Sequence, residues 1–108
     1  MEALVVTFKT EATMEEFAAA NEEDAPAFAD VEGLLAKIWI ADPDSNTYGG
    51  IKLFRDSAAV DRYLESDIFK SIVEDPSVED ATHRRYQVIE SLTAKTQPEI
   101  EVVRVVRA

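Results

Sequence analysis

The chain has no cysteine. That excludes a disulfide framework, a thiolate metal site and a thiol nucleophile. It has one histidine, His83, so no multi-histidine metal cluster can form within one chain. Basic residues are scarce: 11 Lys and Arg stand against 22 Asp and Glu, for a net charge of −11. This balance argues against nucleic acid and anionic membrane as partners. Long hydrophobic runs are missing too. The start, Met1-Glu2-Ala3-Leu4-Val5-Val6, carries no basic segment. Neither a signal peptide nor a transmembrane helix is expected, and a cytoplasmic location is the default. Glycine is rare, and the adjacent Gly49-Gly50 reads as a strand entry with close backbone approach rather than a phosphate loop. The acidic runs Glu22-Glu23-Asp24 and Asp42-Pro43-Asp44 lack calcium-loop spacing. Ser45, Ser57 and Ser66 have no nucleophile-elbow context. The expectation is therefore no metal and no cofactor.

What remains is an ordinary globular composition, 46% hydrophobic over 108 residues. Residues 1–108 are read as one domain, near the size at which dimerisation adds useful burial. The negative charge is concentrated early, with nine acids and one base in residues 1–32. A solvated acidic helix explains that bias. Residues 3–9 alternate Leu4, Val6 and Phe8 against Val5, Thr7 and Lys9, as a strand does. Thr13 and Glu16 have capping-box spacing. Met14, Phe17, Ala18, Asn21, Ala25 and Phe28 follow at helical spacing, so a helix is predicted over 13–29, kinked or split at Pro26. Strands are predicted over 34–40 and 49–55. Asp56 caps a helix over 57–66, and Asp67 starts a short one through Ile68, Phe69, Ile72 and Val73, which Pro76 terminates. A fourth strand covers 78–90. Ile100 to Val106 reads as a fifth strand at a sheet edge, expected to reach the open edge or a partner chain.

The order is β-α-β-β-α-β with an extra C-terminal strand. That is an α+β, ferredoxin-like pattern, with helices on one face of an antiparallel sheet. Both strand faces are largely apolar, so a homodimer with facing sheets is the economical way to cover the second. The strand pair around Asp42-Pro43-Asp44-Ser45-Asn46 carries most of the chemistry. Symmetric pairing about this turn sets Ile38 against Ile51, Ala36 against Leu53, Trp39 against Gly50, Lys37 against Lys52, and Leu35 against Phe54. Gly50 leaves room for the Trp39 indole to lie across it. Lys37 opposite Lys52 is a conflict, because like charges directly opposed destabilise a sheet. Either an anion sits between them or one lysine snorkels to solvent. Trp39 is expected to be mostly buried and to line a cavity.

Gly33-Leu34-Leu35-x-Lys37-Ile38-Trp39, the Gly49-Gly50-Ile51-x-Leu53-Phe54-x-Asp56 block, Tyr63-Leu64-Glu65, and Val78-Glu79-Asp80 with Arg84-x-Tyr86-x-Val88 and Glu90 resemble the YdhR family of putative monooxygenases. The resemblance covers residues 33–93. It implies the dimeric α/β-barrel fold, shared with oxygenases that use no cofactor. Such chemistry needs an apolar pocket, an aromatic wall and a cation that stabilises a substrate anion. Trp39, Phe54 and Tyr86 would supply walls; Lys37 or Lys52 would supply the cation. His83 has the residue type of a base. However, it lies on the strand face opposite Thr82, Arg84, Tyr86 and Val88, and it is not assigned a catalytic role. Two function classes stay open. One is a cofactor-independent monooxygenase acting on a small aromatic or enolic metabolite. The other is a non-catalytic homodimer that binds a small apolar or aromatic ligand.

Overall fold

The computed structural model describes residues 1–96. Its elements are β1 (Glu2–Lys9), α1 (Met14–Asn21), α2 (Ala25–Ala29), β2 (Leu34–Asp42), β3 (Thr47–Phe54), α3 (Ser57–Leu64), α4 (Asp67–Val73), β4 (Glu79–Gln87) and α5 (Glu90–Thr96). The strands form one antiparallel sheet in the order β2-β3-β1-β4. This is the ferredoxin-like α+β architecture that the sequence pattern predicts.

Local chemistry sets the helix ends. At α1 the Thr13 hydroxyl accepts from the Glu16 amide at 3.1 Å, and the Glu16 carboxylate accepts from the Thr13 amide at 2.9 Å. Both orphan donors of the first turn are thus satisfied. The expected helix over 13–29 splits in two, because Pro26 has no amide hydrogen and fits only the first turn of a new helix, α2. Asp56 caps α3, accepting from the Ala59 amide at 2.8 Å. The cap of α4 is Ser66 rather than Asp67, which sits one position later, inside the first turn. Strand β4 stops at Gln87, short of the expected Glu90. Glu90 instead opens α5 and pairs with the Met1 amino group at 3.1 Å. The expected strand over 100–106 lies outside the described residues.

The β2–β3 register matches the symmetric pairing for four of five pairs. A bulge at Leu35 moves the partner of Phe54 to Leu34. The turn is tighter than its composition indicates: Pro43–Ser45 form one 3₁₀ turn, and Asn46 closes it at φ 54. Asparagine tolerates that left-handed conformation better than most residues. Gly49 is required for a different reason. A Cβ there would stand 1.9 Å from the Val6 carbonyl oxygen, so β1 and β3 can approach only without a side chain.

Alternation divides the sheet into two faces. On one face, Leu4, Val6 and Phe54 pack beneath Phe28 of α2, Ala59, Val60 and Tyr63 of α3, and Phe69 of α4, while the buried Tyr48 stacks on Phe17 of α1. Arg85 ties β4 to this layer through Glu2 and through Asp61, the latter at 2.6 Å. Among the described residues, no helix packs over the other face. Ile38, Ile51, Val5 and Arg84 form one cross-strand row there, and Ala36, Leu53, Ala3 and Tyr86 the next. Ile38 and Ile51 are exposed, as is Tyr86. No helix among the described residues is long and apolar enough to cross a membrane.

Candidate active site

On the helix-covered face, one cross-strand row reads Lys37, Lys52, Leu4, Arg85 and the next reads Trp39, Gly50, Val6, His83. The two lysines are therefore neighbours on adjacent strands, beneath the helices. Lys52 is only 2% exposed, and Lys37 is half-buried. Both lean over Gly50. A Cβ on that residue would stand 2.9 Å from Lys37 Cε and 3.4 Å from Lys52 Nζ. The room above Gly50 thus holds the lysine side chains, where the sequence had suggested the Trp39 indole.

Lys37 Nζ lies 3.3 Å from the centre of the Phe28 ring and 3.5 Å from that of Trp39. Those two rings meet edge to face at 5.4 Å. Lys52 Nζ lies 5.4 Å from the Tyr63 ring centre. Among the described residues neither lysine has an ion-pair partner. Burial, with the charge of Lys52 second, pushes the Lys37 amine down to about 6. Burial holds Lys52 at about 8. The rings around Lys37 oppose this, since a cation over an aromatic face gains about 0.5–2 kcal/mol, on the order of one pKa unit. Desolvation is the larger effect. Lys37 therefore gives up its proton at lower pH than Lys52, so a neutral Lys37 beside a charged Lys52 is the favoured intermediate state of the pair. Burial also raises the Tyr63 phenol to about 12, and its hydroxyl is buried without a hydrogen-bond partner among the described residues.

The lysines form the floor of a cavity of about 270 Å³. Phe8, Phe17, Phe28 and Trp39 wall it, Ile68 and Ile72 of α4 close it, and Asn21, Asp24 and Ser71 add polar atoms. The volume is at the small end for ligand pockets, enough for about one ring. Phe17, Asn21 and Trp39 also border a wider groove of about 660 Å³ between α1 and the edge of β2. Trp39 stands at that border and is 38% exposed, not mostly buried as expected. The reason is its place on β2, which is an edge strand.

The five residues singled out from the sequence do not all meet. Lys37, Trp39 and Lys52 do. Phe54 is fully buried in the packed core, 5.5 Å from the Tyr63 ring, and does not reach the cavity. Tyr86 lies on the opposite face of the sheet. His83 is exposed and rests edge-on against Phe69 at 5.7 Å. Phe17 and Phe28 belong to the walls but were read only as helical core positions. The signal available was the helical spacing of Phe17, Asn21, Asp24 and Phe28, which the fold divides between α1 and α2, all lining the cavity. No group of three or more His, Asp or Glu that could hold a metal occurs among the described residues.

Solved structures share this fold. SnoaB, a cofactor-independent oxygenase from Streptomyces nogalater, aligns with a TM-score of 0.63 at 21% identity, over 91% of this chain and 97% of its own. A putative antibiotic biosynthesis monooxygenase from Deinococcus radiodurans aligns with a TM-score of 0.61 at 17% identity, over 82% and 92%. The heme-degrader MhuD from Mycobacterium tuberculosis, with two hemes bound in its active site, aligns with a TM-score of 0.65 at 12% identity, over 82% and 96%. No curated protein matches. The family described as Putative mono-oxygenase ydhR matches residues 3–99. That match spans both lysines and every wall of the cavity, and the chain belongs to this family.

Proposed function

We propose that the protein is a monooxygenase that oxidises a small, electron-rich phenol or enol with dioxygen and no added cofactor, as a homodimer. The observation that carries this reading is the pair of desolvated amines on the floor of an aromatic-walled cavity. A phenol entering the cavity meets the neutral Lys37 amine, which takes its proton. The resulting phenolate lies beside two ammonium groups, and their attraction is strong because water is excluded. Deprotonation makes the ring electron-rich enough to give one electron to dioxygen. Radical and superoxide then combine at the ring carbon para to the oxygen, forming a C–O bond. Loss of that carbon's proton breaks the O–O bond. One oxygen atom stays as a quinone carbonyl and the other leaves as hydroxide, which takes the proton from Lys37 to become water. Phenol and dioxygen thus yield quinone and water. The family supports the reaction class, and SnoaB, with the same fold, supports the absence of a cofactor.

Dimerisation through the open sheet face fits this reading, because it would cover Ile38 and Ile51 and leave the lysine cavity on the helix side. The test is oxygen consumption over a panel of phenols, polyphenols and naphthols that carry a hydrogen para to a hydroxyl, with protein stripped by a chelator and free of flavin absorbance. The expected result is consumption of dioxygen in equal amount to the quinone formed. Activity that returns only with iron, haem or flavin overturns the mechanism. Binding without turnover across the panel moves the assignment to the non-catalytic ligand-binding class.

A further inference from the structure

We propose that Lys37 is also a nucleophile, whose amine condenses with the carbonyl of a small aromatic 2-oxo acid held by Lys52 to form a Schiff base. Three features of the site carry this. A nucleophilic amine needs a free lone pair, which a lysine obtains when it is desolvated or placed next to another cation. Lys37 meets both conditions, between the Phe28 and Trp39 rings and opposite Lys52. The amine also needs space for an electrophile, and Lys37 faces a cavity that fits one ring. Finally, Lys52 is a buried amine with no acid paired to it among the described residues, whereas a buried cation requires an anion or a polar partner. A ligand carboxylate supplies that anion. Asp24, on α2's N-terminal side, is the one acid among the described residues that lines the cavity, and it makes no ion pair with either lysine. The remaining lysines of the described residues, Lys9, Lys70 and Lys95, are exposed and border neither cavity.

The step balances without an oxidant. The Lys37 lone pair attacks the carbonyl carbon, and the C=O π pair moves to oxygen. That oxygen collects two protons, one from the amine and one from the Lys52 ammonium, which solvent then reprotonates. It leaves as water as the C=N bond forms, so the nitrogen keeps one hydrogen and the product is an iminium. The ammonium of Lys52 fixes the carboxylate next to the reacting carbon and steadies the transient alkoxide. The iminium so formed withdraws electrons from the neighbouring carboxylate or carbon, which suits the site to decarboxylation or carbanion chemistry on 2-oxo acids.

This inference does not rest on the oxygenase reading, and its probe keeps the two separate. Phenylglyoxylate has no hydrogen on the carbon beside its ketone, so it cannot enolise and gives dioxygen no enolate. The protein is incubated with phenylglyoxylate and cyanoborohydride, which reduces imines and leaves ketones. Peptide mapping by mass spectrometry then locates the adduct. Lys37 should be modified at least about tenfold faster than Lys9, Lys70 or Lys95. Lys37→Arg, which keeps a long side chain but has no amine able to condense, should abolish the selective adduct while its circular dichroism stays that of the parent. Benzaldehyde serves as the probe without a carboxylate. Lys52→Met should slow trapping of phenylglyoxylate at least about tenfold more than trapping of benzaldehyde. Modification spread evenly over the exposed lysines overturns the proposal. So does selective modification that persists in Lys37→Arg, or an equal effect of Lys52→Met on both probes.

Discussion

Replacing Lys37 with methionine should lower turnover of a phenolic substrate by about 100-fold or more, the usual contribution of a positioned base, and should raise thermal stability at the same time. The two effects have opposite signs because the amine is useful to the chemistry and costly to the fold. Lys37 sits between two rings and across from a second cation, with no acid beside it among the described residues. Methionine has similar length and loses the amine. Its gain at neutral pH is about 1–3 kcal/mol, reduced from the full burial cost because water reaches the cavity mouth. For a domain this size each kcal/mol raises the melting temperature by about 4–8 °C.

The gain must also depend on pH in a definite direction. An unfolded lysine titrates near 10.4, and Lys37 in the fold titrates at about 6. Between those values the unfolded chain binds more protons than the folded one, so parent stability rises with pH through that window. The advantage of Lys37→Met is therefore largest below pH about 6 and disappears toward pH about 10. Thermal unfolding of both proteins at several pH values checks this. Loss of stability along with activity would make Lys37 a structural residue and contradict the proposed role.

The second large effect concerns the open face. Ile51→Lys should convert a dimer into a folded monomer, raising the dimer dissociation constant by about a thousandfold or more, roughly 4 kcal/mol. Ile51 is central in its row, between Ile38 of β2 and Val5 of β1, and both isoleucines are exposed in the single chain. In a dimer formed by facing sheets, the new charge would be buried without a partner. In the monomer it would point to water, so the fold should survive. Light scattering decides the matter: the parent is expected at twice the 12.0 kDa chain mass and the variant at the chain mass. A parent that scatters as a single chain at micromolar concentration would remove the dimer.

Much of this was legible in the sequence because strand periodicity and turn chemistry are local. Pairing the two strands symmetrically about Asp42–Asn46 was enough to place Lys37 opposite Lys52 and Trp39 opposite Gly50. The capping box at Thr13 and the cap at Asp56 lie in the residue types themselves. Three things were not legible. The bulge at Leu35 arises from how the strand meets its neighbour, and no residue there announces it. The face on which Tyr86 lies could be grouped with Arg84 and Thr82 by alternation. Which face the helices cover could not be chosen, because both are apolar. The exposure of Trp39 depends on β2 being an edge, a property of the whole strand order. The helical spacing of Phe17, Asn21 and Phe28 was visible in the sequence, without Asp24 and without a cavity. It took tertiary packing to bring these residues over the lysines.

The most direct test of the site is an NMR titration of the lysine side chains, selectively labelled and assigned by Lys37→Arg and Lys52→Arg, with no substrate present. The account predicts that Lys37 titrates at about 6 and Lys52 at about 8, both well below the ordinary lysine value of about 10.4. If both side chains titrate at the ordinary value, Lys37 is an ammonium at neutral pH, and it can serve neither as the base nor as the nucleophile assigned to it.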